Sequence, residues 1–269
     1  MWDYGYRYAD QGTFPMALSG LDIALWDLLG KGLDASVLQL LGGSRHEAVP
    51  AYASLPPLSD PELVVSETQR AVDAGIGAVK LHELTIDHVE RLRRRFGEGL
   101  AIMVDVNGHF DPLEATAFGR RLADLGVTWF EEPIRPMRDH RAMDRVRRES
   151  GVDIVAGENE YTLKDFERLL RSQAITYLQP EVTKIGGITA AQRVATLAEL
   201  HNVALSPHNF RSGPSLYASL AYGFACSATR WFEIPWVPAD RRFASDMPLP
   251  EIEDGHVLVP TGPGLGIGS

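Results

Sequence analysis

The chain has 269 residues, 45% hydrophobic and 23% charged, which is the composition of an ordinary folded domain. Lys plus Arg number 26 against 36 for Asp plus Glu, a formal charge of −10 that excludes the basic face nucleic acid or an anionic membrane requires. One cysteine, Cys226, excludes an internal disulfide and a cysteine-rich metal site, and no run of about 18 apolar residues marks a membrane span. The opening MWDYGYRYAD lacks the basic-then-apolar pattern of a secretory leader. A soluble cytoplasmic protein with no nucleic-acid or membrane partner is expected.

In chain order, a helical segment over 16–31 comes first. Eight β-rich runs follow, at 49–54, 78–82, 101–107, 127–133, 153–158, 175–180, 203–209 and 231–235. Helix-length segments lie between them. The segment 60–74 opens on Ser59-Asp60-Pro61 and 112–125 on Asp111-Pro112, each a cap residue followed by proline in the first turn. Strands spaced about 25 residues apart by helical crossovers pair in parallel. Eight of them predict a closed TIM-type barrel, and no glycine-rich dinucleotide fingerprint follows the first run to favour an open sheet. The expected division is a lead-in over 1–45, a (β/α)7β barrel over 46–238, and a tail over 239–269 that packs back on the barrel or on a missing cap.

Alternate strand residues point to opposite faces. Ile102, Val104 and Val106 share one face of 101–107, so Met103, Asp105 and Asn107 share the interior one. The same parity turns Lys80 and His82 inward and Val79 and Leu81 outward. Glu131, Glu158, His208 and Glu233 fall at strand C-termini on the inner face, and Glu181 just beyond strand six. That end of a barrel is where active sites are built. Charges there are costly unless paired or metal-bound, so repetition from strand to strand points to a site rather than to packing. Asp105, Glu131 and Glu158 come from neighbouring strands about 4.8 Å apart and can converge on one cation. An all-carboxylate set without Cys favours Mg2+, with Mn2+ as the alternative. Lys80, His82 and His208 flank the acids as bases suited to removing a proton alpha to a carboxylate.

Several motifs in this order resemble the enolase superfamily, in its mandelate racemase subgroup. They are ALSGLDIALWDLLGK (17–31), LLGG (40–43), DVN (105–107), EEP (131–133), GEN (157–159), KIGG (184–187) and SPHN (206–209). The resemblance implies Asp105, Glu131 and Glu158 as Mg2+ ligands and His208 as a base or acid oriented by Glu181. It implies Glu233 as hydrogen-bond donor to the substrate carboxylate or enediolate, and Lys80 against that carboxylate. Asn107 would line the site, and His82 takes the place of the family's second strand-two lysine. It departs from the family in Lys80-Leu81-His82 for Lys-x-Lys and in Glu181 for the usual Asp. It also opens at the barrel lead-in, where relatives carry a capping domain; a truncated start is the expectation.

The implied function is an acid-sugar dehydratase in a homo-oligomer. Racemase, epimerase or sugar-lactone cycloisomerase activity shares the same intermediate, and a non-catalytic barrel is the third alternative. Away from these motifs, His109 stands where it could reach substrate, Glu132 is expected to point away from the pocket, and Glu160 to form pocket wall. Residues 90–98 fit a solvated helix face, Trp231 and Trp236 fit packing, and Cys226 fits a buried helix residue.

Overall fold

The structure is a computed structural model that describes Gly5 and residues 9–237 and 249–267. The lead-in helix α1 (Thr13–Gly32) and one turn, α2 (Val37–Leu40), precede β1 (Ala48–Ser54). There follow α3 (Pro61–Asp73), β2 (Ala78–Leu81), α4 (Ile86–Phe96), β3 (Ala101–Asp105), α5 (Pro112–Asp124) and β4 (Trp129–Glu131). The alternation continues with α6 (His140–Ser150), β5 (Ile154–Ala156), α7 (Leu163–Ser172), β6 (Tyr177–Leu178), α8 (Gly187–Leu200), β7 (Ala204–Leu205), α9 (Pro214–Phe224) and β8 (Phe232–Pro235). The predicted cap residues start their helices. Asp60 accepts from Glu62 N, and Asp111 accepts from Leu113 N and Glu114 N while Glu114 returns a bond to Asp111 N.

Strands β1 to β7 pair in parallel, each with the next, and β8 returns to β1 with Tyr52 opposite Glu233. A parallel bridge from Leu205 to Thr229 brings β7 against the residues before β8, so the ring closes. This is the barrel the run spacing predicts. Its strands are shorter than the runs: 175–180 keeps only Tyr177–Leu178 in the ladder and 203–209 only Ala204–Leu205. The residues left over build the mouth.

The lead-in and tail lock onto the barrel. Gly186, the residue before α8, has no side chain to cap it, and α1 supplies the missing acceptors: Gly186 N donates to Ser19 Oγ and Thr189 N to Asp22. Two short strands, β9 (Ile252–Glu253) and β10 (His256–Leu258), extend the sheet, with β10 antiparallel to the start of β1. Beyond them Leu265 N donates to Asp27 of α1.

Parity sorts the core into two layers. Val79, Leu81, Ile102, Val104, Phe130 and Ile154 face outward into the apolar layer under the helices. Tyr52, Ala78, Met103, Trp129 and Val155 face inward and fill the barrel floor, with Tyr177 and Trp231 packed against them. The Trp129 ring meets Tyr52, Tyr177 and Trp231 at centroid distances of 5.3, 5.2 and 6.3 Å. Trp231 is therefore packing. Trp236 is buried under the Arg70 guanidinium, 4.2 Å from its ring centre. Cys226 is buried, but it follows α9 rather than lying within it.

Candidate active site

Two residues above the floor, the inward faces change chemistry. Lys80 follows Ala78, Asp105 follows Met103, Glu131 follows Trp129 and Glu233 follows Trp231; all four are at most 1% exposed. Asp105 and Glu131 are register partners at the ends of β3 and β4. Glu158 lies two residues past β5, after Gly157, whose φ of 143° and close approach to the Gln179 backbone leave no room for a side chain. One oxygen from each of Asp105, Glu131 and Glu158 lies within 4.8 Å of the others.

Lys80 is the cation at the centre. Its Nζ lies 2.9 Å from Glu131 Oε1, 2.9 Å from Glu233 Oε1 and 3.7 Å from Asp105 Oδ2. Burial disfavours its charge, but these carboxylates outweigh that and hold its pKa well above the usual lysine value. Glu131 Oε2 also accepts from Gln179 Nε2 at 2.9 Å and Trp129 Nε1 at 3.3 Å. Even so, burial, followed by the charges of Asp105, Glu233 and Glu158, overcomes Lys80 and pushes Glu131 up to about 7. Burial and the neighbouring carboxylates both disfavour a further negative charge at this point. The donor set therefore fits a hard divalent cation such as Mg2+ or Mn2+, which Asp105, Glu131 and Glu158 could hold.

A histidine closes each end of this row. His82 Nδ1 donates to Leu55 O at 2.5 Å, since a carbonyl only accepts, and its Nε2 lies 3.2 Å from Asp105 Oδ2. His208 Nδ1 lies 2.8 Å from Glu181 Oε2 and its Nε2 lies 2.6 Å from Glu158 Oε2. Glu181 is itself fixed by Thr183 N and Oγ1 at 2.9 and 2.7 Å, so the longer acid still reaches its histidine. Burial lowers both imidazole pKa values, but the facing carboxylates outweigh it. His82 is raised, mainly by Asp105, and His208 is raised well above the usual value, mainly by Glu158 and Glu233. Each ring is locked at Nδ1 and presents Nε2 to the acids.

Glu233 is buried beside Lys80. Burial would raise its pKa, but Lys80 and His208 hold it down at about 2. Its Oε2 accepts from Tyr52 OH at 3.1 Å and Asn209 N at 3.0 Å. In this arrangement both neighbours donate to it. Asn107 is exposed, in a left-handed turn at φ 44°, and bonds back to Asp105 through N at 2.8 Å and Nδ2 at 3.1 Å. His109 is exposed, with its ring against Phe110 at 5.2 Å, and no described side-chain bond ties it to the acids.

Two expectations are overturned. Glu132 does not point away: it is 2% exposed, and both its oxygens accept from Asn159 Nδ2. Its φ of 40° breaks the strand alternation that sent it outward. Glu160 is no open pocket wall but is buried against Arg138 Nε at 3.0 Å and His140 Nε2 at 2.7 Å. Sequence reasoning also missed Gln179 and Tyr52, which inward parity on β6 and β1 could have found. Lys184 Nζ lies 3.6 Å from Glu158 Oε1, in a loop where no periodicity points to it.

A closed parallel barrel with buried acids from three neighbouring strands, set between two locked imidazoles, defines a barrel of the enolase class. Residues 63–268 match the family model described as enolase C-terminal domain-like. Residues 2–42 match the mandelate racemase/muconate lactonizing enzyme N-terminal domain. The chain belongs to the mandelate racemase/muconate lactonizing enzyme family of the enolase superfamily. It is 32% identical to the arabinonate dehydratase of Saccharolobus solfataricus, covering 99% of this chain and 74% of that protein. Among solved structures it resembles the 3,6-anhydro-D-galactonate cycloisomerase from Zobellia galactanivorans with a TM-score of 0.89 and 29% identity, covering 98% and 76% of the two chains. It also resembles a racemase from Streptomyces coelicolor A3(2) with bound magnesium, at a TM-score of 0.87 and 30% identity, covering 99% and 73%. No helix among the described residues is long and apolar enough to cross a membrane.

Proposed function

We propose that this protein is a Mg2+-dependent acid-sugar dehydratase that removes the proton alpha to the substrate carboxylate. The observation that carries the reading is the acid triad with an Nε2 presented to it from either end, by His82 through Asp105 and by His208 through Glu158. Asp105, Glu131 and Glu158 would hold a divalent cation, which would supply charge neutralisation for the substrate carboxylate and the enediolate. Magnesium is preferred because the ligands are hard oxygens and a related racemase structure holds it. The buried, unpaired thiol of Cys226 accords with a reducing, cytoplasmic setting.

His82 takes the alpha proton at Nε2, its Nδ1 proton staying on Leu55 O. His208, kept protonated by Glu158 and Glu233 and oriented at Nδ1 by Glu181, gives its Nε2 proton to the beta-hydroxyl, which leaves as water. The resulting enol moves its hydroxyl proton to the beta carbon and becomes a 2-keto-3-deoxy acid. Lys80 keeps a fixed positive charge beneath the reacting carboxylate, and Glu233 holds Lys80 in place. Where no hydroxyl leaves, the same pair of imidazoles performs proton transfer or cycloisomerisation.

Incubation with Mg2+ and a library of acid sugars tests the reading. A 2-keto product from at least one sugar is expected. An epimer or a lactone rearrangement in its place would transfer the protein to the isomerases, and metal binding without turnover of any member would contradict catalysis.

A further inference from the structure

The triad members are not held alike. Asp105 and Glu131 lie within the hydrogen-bonded ladder of β3 and β4, which sets their spacing. Glu158 lies beyond the end of β5, where no ladder holds it. Something else must fix its carboxylate, because a metal ligand off by a fraction of an ångström loses affinity.

His208 and Lys184 reach the same carboxylate, at 2.6 and 3.6 Å, and the residues beside it on the β4 and β5 ends add a further fixing. Glu132 directly follows Glu131 and adopts a left-handed backbone at φ 40°, a conformation a non-glycine residue keeps only when its surroundings impose it. Its N donates to Val155 O at 3.1 Å and its O accepts from Gly108 N at 2.8 Å, so the twisted residue joins the end of β3 to β5. The twist turns the buried carboxylate towards Asn159. Asn159 Nδ2 donates to Glu132 Oε1 at 3.0 Å, to Glu132 Oε2 at 2.8 Å and to Glu158 Oε1 at 3.1 Å. All three acceptors are carboxylate oxygens, so the amide nitrogen rather than its oxygen must face them. With two N–H groups and two carboxylates to serve, the amide forms a complete bridge.

We infer that Glu132 and Asn159 are positioning residues, whose hydrogen-bonded bridge holds Glu158 at the spacing a divalent cation requires. The inference rests on the proposed cation-binding role of the triad. Asn159 touches no reacting atom in this account; it acts through Glu158.

Mn2+ binding to the full chain, followed by titration calorimetry and by the electron paramagnetic resonance of the bound ion, is the test. Asn159→Leu removes the donor without changing any charge, so lost affinity reports geometry. Its Mn2+ dissociation constant should rise by about 10–100-fold, the usual range when an outer-shell partner of a metal ligand is lost. Asn159→Ser, smaller and still polar, should show a similar loss and serves if the leucine variant does not fold. Asn159→Gln, which keeps a carboxamide donor, should recover much of the affinity, a rescue that a merely structural defect would not show. Unchanged Mn2+ affinity in folded Asn159→Leu or Asn159→Ser, beside a wild type that binds Mn2+, overturns the inference alone. A wild type that binds no Mn2+ overturns the cation reading of the triad and the inference with it.

Discussion

The floor and the mouth of this barrel are built by the same strands two residues apart, and they obey opposite rules. Met103 and Trp129 fill the floor with apolar bulk; Asp105 and Glu131, next in line on the same inward face, are buried carboxylates. The floor gains stability by keeping water out. The mouth buries several carboxylates together, and burial followed by their mutual charge pushes Glu131 up to about 7. The contrast teaches that the fold is secured below the site, which leaves the strand ends free to carry a costly cluster.

Breaking the mouth should abolish function with little loss of structure. Asp105→Asn removes a member of the triad and should lower turnover by about 10³-fold or more, the several kcal/mol a bound cation contributes. Steady-state kinetics at saturating Mg2+ would show it, with circular dichroism unchanged. His208→Asn keeps a polar group but no titrating ring, and about 10²–10⁴-fold should be lost.

Breaking the floor should do the reverse. Trp129 is fully buried among three aromatic rings, so Trp129→Ala should cost about 3–5 kcal/mol in denaturant unfolding, whatever substrate is present.

The smallest effect sharpens the comparison through pH. Glu131 has a folded pKa raised to about 7 from an unfolded value near 4.3. Its contribution is fully present below the unfolded value and is lost as pH rises through about 7. The raised imidazoles His82 and His208 act in the same direction above their unfolded pKa. Chelator-treated protein should therefore melt higher at about pH 5.5 than at about pH 8. Mg2+ should narrow the gap by neutralising the acids; a higher melting temperature at the alkaline end would contradict the raised values of Glu131, His82 and His208.

The floor and most of the mouth were legible because both follow the two-residue period of a strand. Asp105, Glu131, Lys80 and Glu233 all fall on the face opposite Val79, Ile102 and Val104, and the barrel follows from the spacing of the runs. Legibility ends where the strands end. Glu132 was misread because a left-handed residue undoes the alternation, and periodicity cannot foresee one. Glu181 and Lys184 lie in a loop beyond β6, so the dyad came from family resemblance, and Lys184 entered only as the first residue of the KIGG motif, with no role attached. The neighbours of Glu233 were not legible for a different reason: Lys80, Tyr52 and Asn209 are distant in sequence and meet it only in the folded barrel.

The central claim is that the mouth removes a proton alpha to a carboxylate with the help of a divalent cation. Exchange of the C2 hydrogen of an acid sugar in D2O, followed by proton NMR, measures that step whether or not water is later expelled. With Mg2+ the C2–H signal should be lost or deuterated keto product should form, abolished by chelator and restored by added metal. Exchange that persists undiminished under chelator, or a C2–H signal retained across the acid-sugar library with Mg2+ bound, would contradict it.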